Sequence, residues 1–69
     1  MRTVYDVQQL LKKYGTIIHL GNRLWDIELM MIELKQLEEV GVLDSETFIQ
    51  AMLVLKREHH DEEKRQEEK

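Results

Sequence analysis

Arg23-Leu24-Trp25-Asp26-Ile27-Glu28-Leu29-Met30-Met31-Ile32-Glu33-Leu34-Lys35-Gln36-Leu37-Glu38-Glu39-Val40 is the stretch that decides the fold. It reads as one long helix with a signal at each end. Asn22 is a favoured N-cap, because its side-chain oxygen can accept from an otherwise unpaired early amide. Asp26 and Glu28 lie near the positive end of the macrodipole. Gly41 follows Val40 and suits the left-handed residue that closes a helix. At about 100° per residue, Leu24, Ile27, Met30, Met31, Leu34 and Leu37 fall on one arc, and Trp25, Leu29 and Ile32 on nearly the opposite arc. Glu28 with Lys35, and Asp26 with Glu33, form the seams between them. A helix on a two-layer domain needs one apolar stripe. This one has two, so it calls for a neighbour on each side.

Working outward, Thr3 can cap a first helix that runs to about Tyr14, with Asp6 in the capping-box position. Gly15 stops it. Val4, Val7, Leu10, Leu11 and Tyr14 make its apolar face, while Tyr5, Gln8, Gln9, Lys12 and Lys13 lie outside. Between Gly15 and Asn22, the run Thr16-Ile17-Ile18-His19-Leu20 is rich in β-branched residues but has no partner strand elsewhere in the chain. It is expected to be an apolar connector that tucks Ile17 or Ile18, and Leu20, under the bundle.

After the central helix, Gly41 ends one helix and Asp44 caps the next. Leu43 and Phe48 then occupy the two positions of a hydrophobic staple. So short a connection makes the second and third helices antiparallel neighbours. The third helix carries Phe48, Ala51, Met52 and Leu55 on one face, extended by Ile49 and Leu53, with Val54 on the other side. From Lys56 onward no large apolar residue appears. Arg57–Asp61, Asp61–Arg65 and Lys64–Glu68 are candidate i,i+4 pairs in a solvated segment that frays.

The expected fold is therefore all-α, a three-helix bundle with helices near 3–14, 22–40 and 44–60. Residues 1–58 form the domain and residues 59–69 a charged, partly disordered helical extension. The expected core is Val7, Leu11, Ile27, Met31, Leu34, Leu37, Phe48, Met52 and Leu55.

Composition narrows the function. With 69 residues and no cysteine, the chain makes one small domain without disulfides or thiolate metal sites. No run approaches the roughly 20 apolar residues of a membrane span, and the N-terminus has no signal-peptide pattern, so a cytoplasmic protein without membrane association is expected. The net charge is −4, yet Arg2, Lys12, Lys13 and Arg23 face only Asp6 in the first third. Overall acidity argues against general duplex binding; the basic first third leaves a local patch. His19 has no Ser, Cys or carboxylate at a recognisable catalytic spacing. His59-His60 lacks the i,i+4 spacing of a helical metal site. No enzymatic activity, cofactor or metal is expected.

Tyr5-Asp6-Val7, Leu10-Leu11-Lys12-Lys13-Tyr14-Gly15, Gly21-Asn22-Arg23, Asp26-Ile27-Glu28-Leu29-Met30 and Leu53-Val54-Leu55-Lys56-Arg57-Glu58 together resemble the YqgQ family of small cytoplasmic proteins from Bacillus-type bacteria. The resemblance covers residues 3 to 58. It implies a three-helix bundle without assigned activity, and a role on single-stranded nucleic acid in which Lys12, Lys13, Gly21 and Arg23 match the basic and loop positions. Leu34 to Leu55 is also similar to the short helical hairpins (SHOCT-like) that end many bacterial proteins and mediate interactions.

Two functions follow as expectations. One is single-stranded DNA or RNA binding through Arg2, Tyr5, Lys12, Lys13, Tyr14 and Arg23, with aromatic stacking beside phosphate contacts. The other is a protein–protein or weak homo-oligomer interface through Trp25, Leu29, Ile32, Ile49 and Leu53, surplus apolar residues that one small core cannot absorb. The residues alone favour the protein partner; with the resemblance added, nucleic acid comes narrowly first.

Overall fold

The computed structural model describes residues 1–67. Helix α1 spans Val4–Lys13, α2 Arg23–Glu39 and α3 Ser45–Glu67, and each packs on the other two in a three-helix bundle. Early Glu28 on α2 meets late His59 on α3, which makes these two helices antiparallel.

Local chemistry sets the ends. Thr3 Oγ1 accepts from the Asp6 amide while Asp6 accepts from the Thr3 amide, a complete capping box. Asn22 accepts from the Trp25 amide at 3.0 Å, and Asp44 from the Thr47 amide at 3.1 Å. Both α1 and α2 close in a Schellman arrangement. Gly15 and Gly41 supply the left-handed residue at φ +83° and +81°. The amides of Thr16 and Val42 reach back to the carbonyls of Leu11 and Leu37.

The core consists of Val4, Val7, Leu11, Ile27, Met30, Leu34, Leu43, Ala51, Val54 and Leu55. This corrects the expected one in phase. Met31, Leu37, Phe48 and Met52 form the half-buried edge, whereas Met30 lies at the centre. The reason is that α1 and α3 sit on the same side of α2, so its buried face is centred on Ile27, Met30 and Leu34. Val54, expected on the far side of α3, is buried. Because α3 packs on both α1 and α2, its buried arc is broader than one stripe.

The connector also differs. Ile18 packs on the core, but Ile17 and Leu20 point to solvent. The Leu20 amide is what holds the segment: it donates to Asp26 Oδ1 at 2.7 Å. Asp26 is the only buried polar side chain among the described residues. Helix α3 continues to Glu67, beyond its expected end near residue 60. Its pairing is not the expected one. Arg57 donates to the Arg2 carbonyl and approaches Glu58, and Arg65 pairs with Glu62 at 2.9 Å. The Lys64–Glu68 pair falls outside the described residues.

Candidate binding surfaces

The residues expected to bind nucleic acid are all exposed, and Arg2 is held through its backbone, its amide donating to Asp6 and its carbonyl accepting from Arg57. Tyr5 and Lys12, two turns apart, share the outer face of α1 with Gln8 and Gln9 nearer the connector. Lys12 lines a shallow groove of about 240 Å³ with Gln8, Gln9, Thr16 and His19, over a floor that includes Leu11 and Met30. The other residues are dispersed. Lys13, next to Lys12, projects about 100° around the helix. Tyr14 is the C-cap of α1, while Arg2 and Arg23 stand before α1 and at the first position of α2. The sequence reading found Lys12 but missed the groove, because that depends on the connector folding back along α1.

The apolar set is better assembled. Trp25, Leu29, Ile32, Ile49 and Leu53 are exposed by 36% to 64%. The first three lie along one face of α2, opposite its buried face. Both neighbours cover the Ile27–Met30–Leu34 side, so nothing in the chain's described residues covers the second stripe. On α3, Ile49 and Leu53 join Phe48 and Met52 in a second groove of about 280 Å³, edged by Lys35 and Lys56. Neither groove reaches the roughly 300 Å³ at which small-molecule pockets begin.

Beside the α2 stripe, His59 bridges two helices. Its Nε2 lies 2.8 Å from Glu28 Oε2, and its Nδ1 3.1 Å from Glu63 Oε1. The hydrogen bond to Glu28 raises the His59 pKa above its ordinary 6.5, against a smaller opposing effect of desolvation, and the charges of both carboxylates add to the rise. The sequence reading placed His59 at the start of a fraying tail. The i,i+4 spacing to Glu63 was visible there, but the contact to Glu28 is tertiary. Among the described residues, no group of His, Asp or Glu is placed to hold a metal ion, and no helix is long and apolar enough to cross a membrane.

The family model described as YqgQ-like matches residues 1–61. The chain is 45% identical over 58 residues to the Uncharacterized protein YqgQ of Bacillus subtilis (strain 168), an alignment that covers 84% of this chain and 82% of that one.

Proposed function

The chain belongs to the YqgQ-like family, and from that premise we propose that it is a small non-enzymatic binding module that works through the exposed apolar face of α2 and the adjoining edge of α3. The observation that carries this reading is the uncovered second stripe of the central helix, Trp25, Leu29 and Ile32. A chain this small has little apolar surface to spare, and a contiguous exposed patch marks an interaction site. Dilute wild-type protein should raise the emission of 1-anilinonaphthalene-8-sulfonate, and Ile32→Glu/Leu53→Glu should remove most of the rise while helicity stays unchanged. An equal rise in both proteins overturns the reading.

One observation favours a second reading, single-stranded DNA or RNA on the α1 side: Tyr5 and Lys12 share a face, and Lys12 edges a groove with amide and imidazole groups. Fluorescence anisotropy with labelled single-stranded DNA and RNA tests it. The second reading predicts binding that weakens with salt and is lost in Lys12→Glu/Lys13→Glu. The apolar-face reading predicts no such dependence.

A further inference from the structure

We infer that the occupant of the α2 face is a second copy of this chain, packed so that the two α2 helices run antiparallel about a twofold axis near Ile32. The inference rests on the docking-face reading and adds partner and register to it.

Charge placement carries it. Glu28 and Lys35 are seven residues apart, so they lie two turns apart on the same flank of the exposed stripe. That flank faces α3: Glu28 touches His59, and Lys35 edges the groove with Phe48 and Met52. In an antiparallel pair with twofold symmetry, each flank meets its own counterpart. With the axis midway between Glu28 and Lys35, Glu28 of one copy stands opposite Lys35 of the other, and the contact occurs twice. Ile32 of each copy then meets its counterpart near the axis, with Leu29 and Trp25 outward on either side. A parallel pair would set this flank against the opposite one, which carries Glu33 and no base, so Glu28 would face acid.

The stripe, from Trp25 to Ile32 on α2, covers about 11 Å of helix at 1.5 Å per residue. Two such stripes fall short of a standard interface of roughly 1,600 Å². The dimer is therefore weak and exchanges with monomer on dilution.

Sedimentation equilibrium on wild type, Glu28→Lys, Lys35→Glu, the double variant and an equimolar mixture of the two single variants tests the proposal. Each single variant turns two attractive contacts into repulsive ones, and its dimer should weaken by roughly tenfold. The double variant should recover, and the mixture should associate where each component alone does not. Lys35 has no ion pair among the described residues, so Lys35→Glu separates the interface effect from any loss of the Glu28–His59 contact. A strict monomer at every concentration overturns the self-pairing. A dimer indifferent to all the charge changes overturns the antiparallel register. Neither result touches the docking-face reading, which the dye experiment judges separately.

Discussion

Two side chains hold more of this molecule together than their positions in the chain suggest. His59 is held by Glu28 from α2 and by Glu63 from its own helix. Its folded pKa lies above the unfolded value of 6.5. Folding therefore favours the protonated form, and the stabilisation is fully present below the unfolded pKa and is lost as pH rises through the folded one. Thermal melting between about pH 6 and pH 8.5 should show wild type losing stability relative to His59→Gln as pH rises. Parallel curves for the two proteins contradict this. Asp26 acts differently, as the buried acceptor that fixes the connector through the Leu20 amide. Asp26→Ala leaves that half-buried donor without its partner and should cost about 1–3 kcal/mol in urea denaturation. A cost near zero would mean that the connector is held by Ile18 alone. Neither role was legible in the sequence. An Asp in the first turn of a helix has a sufficient local explanation in the macrodipole, and a His in a charged run has one in solvation.

At the level of elements, what was legible was local. Thr3 with Asp6, Asn22, Asp44, and the glycines after Tyr14 and Val40 each act within a few residues of their own position, and each stands where the sequence placed it. Gly41 is open to a direct test. A Cβ there would meet nothing within 4 Å, yet φ is +81°. Gly41→Ala should thus cost about 1–2 kcal/mol from backbone conformation alone, read as a lower denaturation midpoint with an unchanged slope. Helix phase was less legible. The sequence cannot show that α1 and α3 approach α2 from the same side, and that shared approach exchanges Met30 for Met31 at the core and draws in Val54. Met30→Ala and Leu34→Ala, at fully buried positions, should each cost about 2–5 kcal/mol, and Met31→Ala, at the edge, clearly less. Equal losses at Met30 and Met31 would contradict the packing described. The length of α3 was underestimated for a similar reason. A run of charged residues reads as a solvated tail, although Glu, Lys, Arg and Gln are good helix formers and His59–Glu63 and Arg65–Glu62 staple the turns.

For the whole molecule, the two apolar stripes of the central helix were plain in the sequence, but their fates were not. Two arrangements fitted: one in which α1 and α3 cover both stripes, and one in which the second stripe stays uncovered. The structure has the second arrangement, with Trp25 and Ile32 more than half exposed. The basic residues fare the other way. A patch drawn from Arg2, Lys12, Lys13 and Arg23 looks continuous in a list, whereas the fold places these residues at helix ends and on different faces, with Lys12 bordering the groove beside the connector. Trp25 is the chain's one tryptophan and stands on the uncovered stripe, so its emission reports on that surface without a label. The most direct test of the account is the Trp25 emission maximum across a dilution series from millimolar to nanomolar protein. The account predicts a solvent-exposed maximum at low concentration that moves to shorter wavelength as the copies pair, and stays at the exposed value in Ile32→Glu. A maximum typical of a buried indole at the lowest concentration, unchanged throughout the series, would contradict it.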